Sequence, residues 1–216
     1  MTTADVVDLE LLKKEQIVAI LRSDDTRYFA QTVATLVAAG VRLMEFALTT
    51  PGALAALEAI RGTLPDDVRL GAGTVTTPTL VRQAVDAGAT FLVTPALSLE
   101  VLAEAAKLNV PVLPGAMTPT EVLQAWEGGA TAVKLFPASV GGPAYCRALR
   151  EPFPSIPLVP TGGVSASNAA EYIAAGAIGL GVSRSLIGDA TEGGSQSELA
   201  ARASALLSAV RGGQSS

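Results

Sequence analysis

Lysine occurs at four positions, Lys13, Lys14, Lys107 and Lys134, and only the last lies inside an apolar run, Thr131-Ala132-Val133-Lys134-Leu135-Phe136. Side chains along a strand alternate between its faces, so Val133 and Leu135 share one face while Ala132, Lys134 and Phe136 share the other. Burial disfavours any ammonium, and a neutral amine is a nucleophile toward carbonyl carbon. A second charge has the same kind of setting. In Leu43-Met44-Glu45-Phe46-Ala47-Leu48 the apolar set Met44, Phe46 and Leu48 turns Glu45 to the opposite face. A buried carboxyl exchanges protons nearer neutrality than an exposed one, which suits general acid–base work. The same pair also fits a plain structural ion pair, and both readings stand at this point.

Other residues supply anion chemistry. Arg22 follows the run Ile17-Val18-Ala19-Ile20-Leu21, and Thr74 follows Gly71-Ala72-Gly73. A guanidinium and a hydroxyl at strand ends suit an anionic substrate. Thr161-Gly162-Gly163-Val164-Ser165 offers backbone N–H groups on a glycine turn, read as leading into a helix capped by Ser165, and Gly181-Val182-Ser183-Arg184 adds a hydroxyl and a guanidinium. These suit a phosphorylated or otherwise anionic ligand, although a tight turn alone would also explain the glycines.

The chain contains no histidine. Zinc sites built on imidazole, Ser-His-Asp triads and Cys-His dyads are thereby excluded, leaving carboxylates, lysine, hydroxyls and backbone groups. A single cysteine, Cys146, makes no internal disulfide and reads as a packing residue in a reducing compartment. The net charge of −5, with no cluster of Lys and Arg, gives no attraction to nucleic acid or anionic lipid. No run approaches the roughly 20 apolar residues that span a bilayer, and the start lacks the positive flank of a signal peptide, so a cytoplasmic protein is expected.

The elements that must position these residues alternate along the 216-residue chain. Eight candidate strands occupy 17–21, 42–48, 69–73, 90–95, 110–115, 131–136, 156–160 and 178–182, with helix-like segments between them. Strand–helix alternation implies right-handed crossovers and a parallel sheet. Ala39-Gly40, Ala87-Gly88, Gly128-Gly129 and Ala175-Gly176 each precede a strand, where glycine ends a helix and turns the chain back. The repeat favours a closed (β/α)8 TIM barrel, parallel and eight-stranded, over an open doubly wound sheet. Thr118-Pro119-Thr120-Glu121 and Ser195 with Glu198 read as capping boxes. A helix over 5–15 is expected as an extra N-terminal element covering the barrel floor, and 212–216 as a disordered tail, within a single domain over 1–216.

Taken in order, Arg22, Glu45-Phe46-Ala47-Leu48, Gly71-Ala72-Gly73-Thr74, Val93-Thr94-Pro95, Lys134-Leu135-Phe136-Pro137-Ala138 and Pro160-Thr161-Gly162-Gly163-Val164 form one pattern. It resembles the 2-keto-3-deoxy-6-phosphogluconate (KDPG) / 4-hydroxy-2-oxoglutarate (KHG) aldolase family, from about residue 10 to residue 188. The resemblance implies a class I aldolase in which Lys134 forms a Schiff base with the 2-oxo carbon and Glu45 moves protons, yielding pyruvate with glyceraldehyde 3-phosphate or glyoxylate. No metal or other cofactor is implied. Arg22, Thr74, Pro95 and Phe136 would line the pyruvate half, and Thr161, Gly162 and Gly163 the distal phosphate. Many members carry arginine where this chain has Thr49, a position associated with carboxylate binding. The family often reads Gly-x-Gly-Ser where Ser183 and Arg184 align with the second glycine and the serine. Arg184 would either contact a phosphate or fill the site and favour a short substrate. The resemblance also implies a homotrimer. A related aldolase for 2-dehydro-3-deoxy-6-phosphogalactonate, an isomerase or synthase of a phosphorylated metabolite, and a non-catalytic phosphometabolite-binding barrel are the alternative readings.

Overall fold

The computed structural model describes residues 7–212. Each expected apolar run forms a strand: β1 (Ile17–Leu21), β2 (Leu43–Ala47), β3 (Arg69–Gly73) and β4 (Leu92–Val93), then β7 (Val133–Leu135), β8 (Leu158–Pro160) and β9 (Leu180–Val182). The fifth run, expected as one strand, is divided into β5 (Val112–Leu113) and β6 (Gly115–Ala116). The break falls at Pro114, which has no N–H to give to a ladder. Helix α1 (Leu9–Glu15) precedes β1. The crossovers carry α2 (Phe29–Ala38), α3 (Ala53–Arg61), α4 (Pro78–Asp86), α5 (Leu99–Lys107), α6 (Pro119–Glu127), α7 (Gly142–Arg150) and α8 (Ala169–Ala174), and α9 (Arg184–Ile187) and α10 (Gln196–Gly212) follow β9.

All strand pairings are parallel, in a six-stranded sheet ordered β5-β4-β3-β2-β1-β9 and a three-stranded sheet ordered β6-β7-β8. The sheets adjoin twice. β5 and β6 are consecutive through Pro114, and Thr161, just past β8, bridges Gly181 of β9. Register sets each inward charged residue beside an apolar or glycine neighbour: Ile20 is level with Glu45, Glu45 with Gly71, and Gly115 with Lys134.

Period-two alternation divides the core into two layers. Met44, Phe46, Val133, Leu135, Leu158, Leu180 and Val182 pack outward among the helices. Val18, Leu43, Phe91, Val93, Leu113, Ala132 and Val159 pack together on the inner face. Val7 and Leu12 join that inner cluster, so α1 and the residues leading into it close one end of it; the helix expected over 5–15 begins at Leu9, after its cap Asp8, and residues 5–6 lie outside the described residues. Asp8 caps α1 through Oδ1, which accepts from the Leu11 N–H at 2.8 Å.

Gly40, Gly88, Gly129 and Gly176 all have φ between 89° and 99°, the left-handed conformation that reverses a chain after a helix. Thr118 and Glu121 form the full reciprocal capping box of α6. Ser195 receives the Glu198 N–H at 3.2 Å, but the Glu198 carboxylate faces Arg202 at 3.6 Å, so that box is half formed. Ser165 does not cap α8. The helix begins at Ala169, because Asn168 Oδ1 takes the Ser165 N–H (2.9 Å) and Asn168 Nδ2 donates to the Gly163 carbonyl (2.9 Å), holding 163–168 as a turn. Gly212, assigned to a tail, ends α10, while the rest of that expected tail lies outside the described residues. Among the described residues no helix is long and apolar enough to cross a membrane.

Candidate active site

The C-terminal ends of the strands surround a cavity of about 330 Å³. Arg22, Glu45, Thr74, Pro95, Lys134, Phe136, Thr161, Gly162, Gly163, Ser183 and Arg184 all line it. Thr49 does not. β2 leaves its ladder after Leu48, whose N–H reaches the Gly73 carbonyl, and Thr50 N–H then closes a turn on Ala47, leaving Thr49 exposed. Val164, Ser165 and Gly181, from the two motifs named above, also line it, and so do Ile20 and Ser185, which the sequence reading missed. Ile20 was within reach of the alternation argument, since Val18, Ile20 and Arg22 share a face. A larger groove of about 450 Å³ lies toward the start of β3, by Arg61, Asp66 and Arg69, and takes in none of the residues singled out above.

Lys134 is 7% exposed and Glu45 is 2% exposed, on β7 and β2. The ion pairs of the described residues lie elsewhere, as with Arg42–Asp67 and Arg82–Glu104, and Glu45 and Lys134 do not form one within 4.0 Å. Burial pushes the Glu45 carboxyl up from its ordinary value, against a smaller downward pull from the Lys134 and Arg22 charges. Lys134 Nζ sits 5.0 Å from the Phe136 ring centroid, a cation–π distance.

The glycines of β3 make room for this arrangement. A Cβ at Gly71 would fall 2.6 Å from the Phe91 ring, and one at Gly73 would fall 2.5 Å from Glu45 Oε1. Arg22 Nη2 donates to Thr74 Oγ1 at 3.3 Å. Thr74 is held at φ 61°, a left-handed conformation that costs a β-branched residue about 1–2 kcal/mol. Thr94, buried behind Pro95, donates to the Ala96 carbonyl (2.5 Å) and accepts from Gly115 N–H (3.1 Å), fixing the loop that carries Pro95.

On the far side of the cavity three hydroxyls donate to backbone, while Ser165 Oγ pairs with Ser167 Oγ at 2.8 Å. Thr161 Oγ1 donates to Val159 O at 3.2 Å, Ser183 Oγ to Ile20 O at 3.3 Å and Ser185 Oγ to Val164 O at 2.6 Å. Gly162 and Gly163 have φ of 87° and 83°. A Cβ at Gly162 would press to 3.2 Å from the Phe136 ring, and one at Gly163 would fall 2.5 Å from Ser139 Cβ. Lys13, Lys14 and Lys107 lie exposed in peripheral pairs, and Cys146 is buried among outer-layer residues with its thiol pushed up to about 11 by burial. Among the described residues no three His, Cys, Asp or Glu side chains gather as a metal site.

The arrangement places a buried lysine, a buried carboxyl raised above its ordinary value and two arginines around one cavity. Comparison with known proteins points the same way. Residues 9–197 match the family described as KDPG and KHG aldolase. The chain is 38% identical over 165 residues to the 2-dehydro-3-deoxy-phosphogluconate aldolase of Pseudomonas aeruginosa, covering 76% of this chain and 74% of that one. It is 35% identical over 199 residues to the 2-dehydro-3-deoxy-6-phosphogalactonate aldolase of Escherichia coli, covering 92% and 96%. In structure it resembles the KDPG aldolase of Legionella pneumophila with pyruvate captured as a covalent carbinolamine, with a TM-score of 0.85, 27% identity and coverage of 92% and 97%.

Proposed function

The chain belongs to the KDPG and KHG aldolase family and is therefore an aldolase, a lyase, and from that premise we propose that Lys134 is its imine-forming nucleophile and Glu45 its proton carrier. The observation that carries this reading is the convergence of the two buried groups, from β7 and β2, on one cavity.

Lys134 Nζ adds to the C2 carbonyl of a 2-keto-3-deoxy acid, and loss of water gives the protonated imine. Glu45 accepts the C4 hydroxyl proton as the C3–C4 bond breaks. The bonding pair then flows into the iminium, leaving a pyruvate enamine and releasing the aldehyde. Protonation at C3 and hydrolysis free pyruvate and return Lys134. Burial raises the Glu45 carboxyl above its ordinary value, which makes its protonated form easier to reach and so suits a group that both takes and gives a proton in the cycle. Arg22, held by Thr74, faces the substrate carboxylate, with Pro95 and Phe136 enclosing the pyruvate half. Thr161, Gly162, Gly163, Ser183 and Arg184 receive the distal end. Thr49 stays out of this contact set.

The substrate is proposed to be 2-dehydro-3-deoxy-6-phosphogluconate, with 4-hydroxy-2-oxoglutarate as a shorter one. The similarity to a phosphogalactonate aldolase supports a second reading, the C4 epimer of the same phosphorylated acid. The two adjoining sheets are read as one closed eight-stranded barrel within a single domain. The bridge from Thr161 to Gly181 and the continuity through Pro114 support that closure. A cytoplasmic homotrimer is the proposed assembly, which a solution mass tests.

Borohydride reduction in the presence of pyruvate is expected to add one pyruvate-derived mass at Lys134, and Lys134→Ala is expected to abolish both the adduct and aldol cleavage. An unmodified Lys134, or cleavage that survives its loss, would refute the mechanism.

A further inference from the structure

We propose that Thr94 is a positioning residue for Lys134: its buried hydroxyl holds the wall of the pyruvate half and the strand beside the lysine in one frame, and so fixes where the amine meets the carbonyl carbon. The proposal rests on the aldolase reading above for the role of Lys134 and adds to it a side chain that does not line the cavity.

Residues 111–116 carry a ladder on each side. Toward β7, the N–H groups of Thr131, Lys134 and Phe136 donate to the carbonyls of Val112, Pro114 and Ala116 at 3.0, 2.9 and 3.0 Å. Toward β4, the N–H groups of Leu92 and Thr94 donate to the carbonyls of Pro111 and Leu113 at 2.8 and 3.2 Å. The next N–H on that side belongs to Gly115, and it donates to Thr94 Oγ1 at 3.1 Å. A side-chain oxygen thus takes the place of a strand carbonyl in the last rung. The same hydroxyl gives its hydrogen to the Ala96 carbonyl at 2.5 Å, which closes the turn around Pro95.

Two further observations tie this rung to the site. Gly115 is level with Lys134 in the pairing of β6 with β7, and the Lys134 N–H is held by Pro114, next to Gly115 in the chain. A Cβ at Gly115 would fall 2.4 Å from the Pro95 carbonyl oxygen, so the Pro95 peptide lies directly on the strand that neighbours the lysine. Pro95 lines the cavity, while Thr94 stands behind it, 1% exposed. At the other seam between the sheets Thr161 bridges Gly181 through the backbone, and its hydroxyl turns back to Val159 of its own strand. The rung beside Lys134 is therefore one that a single side-chain substitution can remove. Loss of the hydroxyl leaves the buried Gly115 N–H without its acceptor, and Gly115 and the Pro95 turn must shift or admit water to satisfy it. Such a shift moves the lysine and the wall relative to the strands that carry Arg22 and Glu45, and misplacement by about 1 Å costs a reacting group up to about 100-fold in rate.

The test uses Thr94→Val, which keeps the shape and loses the hydroxyl, Thr94→Ala, and Thr94→Ser, which keeps the hydroxyl, beside wild type and Thr32→Val. Thr32 is fully buried on α2 and its hydroxyl donates to the Ala190 carbonyl at 3.1 Å, away from the cavity, so its loss reports what a buried hydroxyl contributes to the fold alone. Aldol cleavage is measured together with the single-turnover rate at which borohydride, added at timed intervals, captures pyruvate at Lys134, the final captured amount counting active molecules. Thr94→Val and Thr94→Ala are expected to lower kcat and the capture rate by about 10- to 100-fold. KM should change less, since Arg22 and Thr74 keep their bond. Thr94→Ser is expected to recover most of both rates, and Thr32→Val to lower the urea midpoint while keeping both rates. Capture at the wild-type rate in Thr94→Val and Thr94→Ala, or a Thr94→Ser as slow as they are, overturns the inference and leaves the hydroxyl a structural bond. If Thr94→Val does not fold, Thr94→Ala against Thr94→Ser decides on the same terms, and failure of both Val and Ala variants to fold makes the hydroxyl a requirement of the fold and overturns the inference equally. A wild type that captures no pyruvate overturns the aldolase mechanism instead.

Discussion

Glu45 is a carboxyl almost out of contact with water whose nearest compensating charges do not touch it, and this arrangement has consequences for both rate and stability. Replacing it by glutamine keeps shape and hydrogen bonding but removes proton exchange. Glu45→Gln is therefore expected to lower kcat by roughly 10²- to 10⁴-fold, the usual worth of a positioned acid–base group. The stability effect follows from linkage. The ordinary value is 4.5 and the folded value lies above it, so between the two the folded chain holds a proton that the unfolded chain has lost. Stability then falls as pH rises through that window and levels off above it. Glu45→Gln lacks the loss. Its melting temperature relative to wild type should climb as pH rises from about 4.5 and then reach a plateau. A difference that stays flat with pH would show that ionising Glu45 costs the fold nothing. A simple stabilising ion pair would give the opposite slope, since it would depress the carboxyl rather than raise it.

At the scale of elements, β3 shows how a strand can be built around its neighbours' side chains. Its inward positions, Gly71 and Gly73, leave space for the Phe91 ring and the Glu45 carboxylate respectively. Alanine at the two positions should separate packing from catalysis. Gly71→Ala meets a ring held inside the inner core and is expected to cost about 1–3 kcal/mol of stability in urea denaturation, the usual penalty for overpacking. Gly73→Ala meets the carboxylate, which can turn aside, so the larger effect should be on kcat, at least tenfold. Equal effects of both substitutions on kcat would contradict this division. The sequence showed the existence of these strands, their inward polar residues and the loops that line the cavity, because two-residue alternation and C-terminal glycines are local signals. It did not show where chains leave their ladders. Thr49 drops out because β2 turns at Leu48, the fifth strand breaks at Pro114, and α8 starts late because Asn168 bonds back to the Gly163–Ser165 turn. Each depends on a competing hydrogen bond or a missing donor in a particular three-dimensional setting, which periodicity does not encode.

At the scale of the whole molecule, the inner face of three strands passes from apolar to charged over a short stretch: Leu43 to Glu45 and Ala132 to Lys134 each in one two-residue step, and Val18 through Ile20 to Arg22 in two. A two-residue step spans roughly 7 Å. Below it lies an apolar plug closed by Val7 and Leu12, both fully buried, and above it lies the polar cavity. The plug lies between α1 and the level of Glu45 and Lys134 and keeps solvent from reaching them from beneath. Floor and mouth should then be separable. Leu12→Ala removes a buried leucine from the plug and is expected to lower unfolding free energy by about 2–5 kcal/mol, depending on how far the surrounding residues close the void. The enzyme that remains folded should keep kcat and KM within about twofold of wild type, with active molecules counted by borohydride trapping of pyruvate. The two measurements together decide the point. A stability loss with intact turnover per active site means that the floor serves the fold alone. A matching fall in kcat per trapped site would mean instead that solvent admitted through the floor reaches Glu45, and that the dryness of the lumen is part of the catalytic apparatus.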